Sequence, residues 1–79
     1  MEERRKSQRL RTLRGGSILI GKLAPIECII RNMSGEGANL EVSPRLIPDA
    51  FTLLIKREML KRPCVVVWRS GRRVGVRFV

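Results

Sequence analysis

The chain has 79 residues, of which 43% are hydrophobic and 30% charged, a globular composition in one small domain whose core buries only about 60% of the unfolded surface. Its formal charge of +10 favours anionic ligands such as nucleotides, nucleic acids or acidic membrane surfaces. With no histidine and no tyrosine, no apolar run near the roughly 20 residues that span a bilayer and no apolar leader, the sequence argues against catalysis, a metal site and membrane insertion. A cytoplasmic binding module is expected.

Residues 1–14 carry Arg4, Arg5, Lys6, Arg9, Arg11 and Arg14 but few apolar groups, so they are expected to form a flexible basic N-terminal arm. Gly15-Gly16 is read as a break, after which residues 15–79 hold short apolar segments between turn residues, the pattern of an all-β domain. Ile26, Cys28 and Ile30 alternate with Glu27, Ile29 and Arg31, as in a strand half covered by core. A turn at Ser34-Gly35-Glu36-Gly37 leads into a second strand in which Ala38, Leu40 and Val42 face inward. Phe51 to Ile55 is a third strand, Lys56 to Arg62 is read as a loop or a helical turn, and Pro63 ends it.

Cys64, Val66 and Trp68 then alternate with Val65, Val67 and Arg69, and Val74, Val76 and Phe78 repeat the pattern after a tight turn at Ser70-Gly71. Trp68 is read as a core residue, together with Phe51 and Phe78. About six short antiparallel strands suggest a closed barrel, because closure removes exposed edges. Cys28 and Cys64 lack CxxC spacing and any histidine partner, so both are read as buried thiols rather than metal ligands or nucleophiles.

Two segments carry recognisable ligand chemistry. Arg5-Lys6-Ser7-Gln8-Arg9 places two arginines four residues apart, on one side of the arm whether it is extended or helical. Guanidinium groups clamp phosphates, stack on purines and hydrogen-bond the O6 and N7 edge of guanine. Asn32-Met33-Ser34-Gly35-Glu36-Gly37 closes a strand with an amide and a hydroxyl two residues apart, followed by glycines that let backbone approach a ligand. Each segment alone has an ordinary explanation, as a solvated tail and a polar turn.

Together, the R-x-x-x-R and N-x-S-x-x-G motifs resemble the PilZ family, and Cys64–Arg69 and Arg73–Phe78 look like its paired closing strands. The resemblance implies a small six-stranded antiparallel β-barrel that serves as a receptor for the bacterial second messenger cyclic di-GMP. It also implies a ligand site of Arg4, Arg5, Arg9, Asn32, Ser34, Gly35 and Gly37, with no catalytic residue, metal or cofactor. Arg4, next to the arginine pair, resembles the residue that influences whether one or two ligands are held, and two per chain are expected. Many members add a C-terminal helix after the last strand, whereas this sequence stops at Val79, so no C-terminal helix is expected. Plugging of the barrel opening is expected from Trp68 and Phe51, or covering by a second copy, leaving monomer and homodimer both open. Signalling would pass to a separate, unidentified protein effector.

Two other readings compete. A basic barrel of this kind can track nucleic-acid phosphates through Arg11, Arg14, Arg72 and Arg73, although one Trp and two Phe leave little surface for base stacking. A PilZ-like interaction module without ligand binding is the other, and the presence of both motifs argues against it.

Overall fold

The computed structural model describes residues 14–43 and 47–79. They form six strands: β1 (Arg14–Leu19), β2 (Ile26–Met33), β3 (Gly37–Val42), β4 (Ala50–Ile55), β5 (Leu60–Ser70) and β6 (Arg73–Phe78). All neighbours are antiparallel, and the order β1-β2-β3-β6-β5-β4 closes on itself through β4–β1 pairing. The described residues contain no helix long and apolar enough to cross a membrane.

Alternation builds the barrel. Cys28 and Ile30, then Ala38, Leu40 and Val42, then Phe51, Leu53 and Ile55, point inward, where they meet Val74, Val76 and Phe78. Ile18, Ile30, Leu40 and Leu53 are fully buried, and burying such a side chain contributes about 1.5–3 kcal/mol. Both cysteines are free and buried. Burial pushes the Cys28 thiol up to about 12, with the Glu27 carboxylate adding to the effect, and burial also raises that of Cys64.

β3 and β4 are not neighbours; Ile47, ahead of β4, and Phe51, within it, are buried. Phe78 is buried as well, in the same cross-strand row as Phe51 and Cys64, with the Arg62 guanidinium 4.2 Å above its ring. Arginine over an aromatic face covers apolar surface while keeping its charge hydrated.

Four expectations change. Gly15 and Gly16 lie inside β1 rather than breaking the chain: a Cβ at Gly16 would press on Ile30 and Cys28 at 3.1–3.2 Å, so the missing side chain lets β1 lie close to β2. Residues 56–59 form a tight turn and β5 already starts at Leu60, with Met59 at φ 51° and its N–H donating to the Lys56 carbonyl at 3.1 Å. Pro63 therefore lies within β5, paired with Thr52, and its carbonyl accepts from Val79 N–H at 2.9 Å. Trp68 is not core and plugs neither end: it is 44% exposed on the outer wall.

Candidate ligand-binding site

The position of Trp68 follows from a register break. Cys64 and Val66 face the core, and strict alternation would send Trp68 inward as well. Between the pairs Val66↔Val76 and Trp68↔Gly75, however, β5 carries one residue more than β6. That residue, Val67, is a β-bulge, which re-aims the side chains beyond it. Val67 is 60% exposed, and Trp68 turns outward beside it.

β2 does the same. Cys28 and Ile30 face inward, so Asn32 shares their parity, yet the register slips between Ile30↔Leu40 and Asn32↔Asn39. Arg31 is the extra residue, held by Glu41 at 2.9 Å, and Glu41 also lies 3.8 Å from Arg73. Asn32 is thereby exposed, while Met33 packs against the core.

Both re-aimed side chains fall on one line. Asn32 pairs with Asn39, Asn39 with Gly75 and Gly75 with Trp68, an outer-face row across four adjacent strands spaced about 4.8 Å apart. Gly75 is buried beneath Trp68, and a Cβ there would collide with indole atoms Nε1 and Cε2. Glycine in a mid-strand position often marks such a close approach.

Above this row lies a cavity of about 390 Å³, walled by Asn32, Met33, Ser34, Gly37, Ala38, Asn39, Val67, Trp68, Gly75 and Val76. Its lining contains no carboxylate to repel an anion. By contrast, a second cavity of about 220 Å³ is lined by Glu27 and Glu41 as well as Cys28 and Arg72.

The turn between β2 and β3 sets the rim. Ser34 N–H donates to the Gly37 carbonyl at 2.9 Å, and Glu36 N–H donates to Ser34 Oγ at 3.2 Å. The Ser34 hydroxyl proton is thus left to donate elsewhere. Gly37 is required by packing, since a Cβ would collide with the Val76 carbonyl oxygen. Asn39 is half-buried, and its Oδ1 is buried without a hydrogen-bond partner among the described residues, a state that costs about 1–3 kcal/mol.

Of the residues expected from the sequence, the fold brings Asn32, Ser34 and Gly37 to one cavity. Gly35 stays on the turn outside that wall, where an added Cβ would meet nothing. Arg4, Arg5 and Arg9 lie outside the described residues. The first described residue, Arg14, pairs with Ile30 two positions before Asn32, which sets the start of β1 beside this rim. Arg14 itself is tied to Glu58 at 3.1 Å. Sequence reasoning missed Trp68, Asn39 and Gly75; the unexplained Gly75 inside an otherwise alternating strand was the available signal.

Among the described residues no cluster of three or more His, Cys, Asp or Glu side chains could hold a metal ion. In comparisons with known proteins, no curated protein and no solved structure matches. The family model of the PilZ domain matches residues 3–79, essentially the full length. A closed six-stranded barrel carrying the N-x-S-x-x-G turn on its rim therefore stands with this match over nearly every residue, and the chain belongs to the PilZ domain family.

Proposed function

We propose that the protein is a bacterial, cytoplasmic receptor for cyclic di-GMP that carries out no chemistry and signals by changing shape. The observation that carries this reading is the convergence of Asn32, Ser34, Gly37 and Trp68 on one carboxylate-free cavity, beside the strand from which the arm with Arg5 and Arg9 departs.

Each group has a role its chemistry suits. Arg5 and Arg9 clamp phosphates and guanine edges, with Arg4 adjoining them, because a guanidinium offers five donors in a planar fork. Asn32 and Ser34 supply neutral hydrogen bonds from the barrel wall, and Gly37, with Gly35 on the adjoining turn, keeps that wall low enough for the ligand to approach. Trp68 offers one indole face to a base, and such stacking contributes about 1–3 kcal/mol.

Ligand binding fixes the arm across the barrel wall. Ordering each residue costs about 1–2 kcal/mol of backbone entropy, so a micromolar complex, near 8 kcal/mol net, needs several charge-assisted bonds to offset it. Arginines on the arm provide them. The ordered arm and ligand then present a new surface to a separate protein effector, with two ligands per chain where Arg4 supports an intercalated pair.

Calorimetric titration with cyclic di-GMP at about 150 mM salt, where exposed charges are largely screened beyond about 8 Å, tests the reading against GTP and a short single-stranded oligonucleotide. Saturable binding of cyclic di-GMP alone is expected, lost in Arg5→Ala and in Arg9→Ala. Salt-sensitive binding of the oligonucleotide without response to cyclic di-GMP would replace this reading with a nucleic-acid binder.

A further inference from the structure

We propose that Asn39, a residue outside both motifs, hydrogen-bonds the edge of the base that stacks on Trp68. The inference rests on the receptor reading and adds a base-reading contact to it.

Asn39 sits at the centre of the outer row, between Asn32 and Gly75. Gly75 has no side chain, so the Trp68 indole lies directly over it, next to Asn39, which pairs with Gly75 on the neighbouring strand. A planar base resting on the free face of Trp68 therefore extends its edge toward Asn39. Both residues line the same cavity.

The second strand of the argument is the unpartnered acceptor. Buried polar atoms in folded proteins nearly always have partners, and exceptions call for an explanation. Among the described residues Asn39 Oδ1 is buried without one, whereas the neighbouring Ser34 hydroxyl already accepts from Glu36 N–H. On its own strand Asn39 pairs in regular register with Gly75 and, beside the β2 bulge, with Asn32.

A ligand donor accounts for it. A half-turn about the Cβ–Cγ bond exchanges the carbonyl and amino ends of the amide, and either end can then face the cavity. Guanine offers N1–H and the 2-amino group as donors, and an Oδ1 brought to the cavity by that half-turn accepts from them. A site built around such an acceptor discriminates strongly against ligands that leave it unpaired.

The test compares the wild-type chain with Asn39→Leu and Asn39→Asp by calorimetric titration with cyclic di-GMP, with thermal melting of each ligand-free protein alongside. Leucine keeps the volume and removes both hydrogen-bonding ends; aspartate keeps an accepting oxygen. Asn39→Leu is expected to bind roughly tenfold or more weakly while melting at or above the wild-type temperature, since it removes an unpartnered buried acceptor. Asn39→Asp is expected to retain more affinity than Asn39→Leu. Wild-type affinity in Asn39→Leu would overturn the inference and leave the receptor reading standing. A lowered melting temperature in Asn39→Leu, with affinity lost equally in both variants, would assign Asn39 a structural role and also overturn it. Absence of binding to the wild-type chain would overturn the receptor reading itself, and this inference with it.

Discussion

β4 and β5 run side by side from Ala50↔Val65 to Ile55↔Leu60, yet they follow different rules. β4 alternates without exception: Phe51, Leu53 and Ile55 are buried, and Thr52 and Leu54 are only partly covered on the outer wall. β5 covers Arg62, Cys64 and Val66 on its inner side, with Leu60 exposed at its start, and breaks the alternation at Val67, where it has left β4 and pairs only with β6. The regular strand does nothing but fill the core. In the irregular one, a residue of core character is turned out to face solvent, and β2 makes the matching departure at Arg31. A period of two holds every strand of a barrel to one inner face, so placing chosen side chains outside requires an extra residue.

The contrast is sharpest when a regular and an irregular position are both truncated. Leu53→Ala, at a fully buried site in β4, is expected to lower unfolding free energy by about 2–5 kcal/mol in urea denaturation. For a small domain that is a large share of the total. Cyclic di-GMP affinity of the folded fraction should be unchanged.

Gly75→Ala comes next. Its new methyl collides with the Trp68 indole and either displaces the ring or strains the strand, at a cost of about 1–3 kcal/mol. Affinity for cyclic di-GMP should fall with it, as calorimetry would read. Trp68→Ala reverses the pattern of Leu53→Ala: stability should change by less than about 1 kcal/mol, as for an exposed position, while affinity falls about tenfold or more. If Trp68→Ala unfolded the protein and Leu53→Ala did not, the assignment of inner and outer faces would be wrong.

The smallest effect is electrostatic and lies on the outer wall away from the site. Lys56 and the Ser17 hydroxyl at 2.9 Å hydrogen-bond Glu27, and these bonds hold its carboxyl below the usual 4.5. A depressed folded value gives stability that is complete above the unfolded value and lost as pH falls through the lower folded one. Acid unfolding of Glu27→Gln should therefore be slightly less steep below about pH 4.5 than that of the wild type, followed by circular dichroism.

Much of this was legible from the residues. Polar–apolar alternation in Ile26–Ile30, Ala38–Val42 and Val74–Phe78 identified three strands and their inward sides, because half-buried strands follow that pattern, and the apolar run Phe51–Ile55 identified a fourth. Asn32, Ser34 and Gly37 could be named from the motif before their positions were known. Trp68 could not be placed, because alternation assumes an unbroken register and a bulge leaves little mark in composition. Asn39 was illegible for a related reason: its relevance arises only from its cross-strand neighbours Asn32 and Gly75, one across the β2–β3 turn and the other distant along the chain. Gly15-Gly16 misled because glycine pairs usually interrupt strands, whereas here the missing side chain at Gly16 is what lets β1 approach Ile30 and Cys28. The charged stretch after Ile55 misled in another way, since a strand whose outer face meets water can be as polar as a loop.

The central claim is that two bulges gather Asn32 and Trp68, with the Ser34–Gly37 turn and Asn39, into one ligand-binding face. Amide and indole N–H chemical shifts of the labelled protein, recorded during titration with cyclic di-GMP, test it most directly. The account predicts saturable shifts concentrated on Asn32, Ser34, Gly37, Asn39, Gly75 and the Trp68 indole, with Glu27 and Arg72 in the second cavity left unmoved. Saturable shifts that instead centred on the second cavity, or no shifts at all, would contradict it.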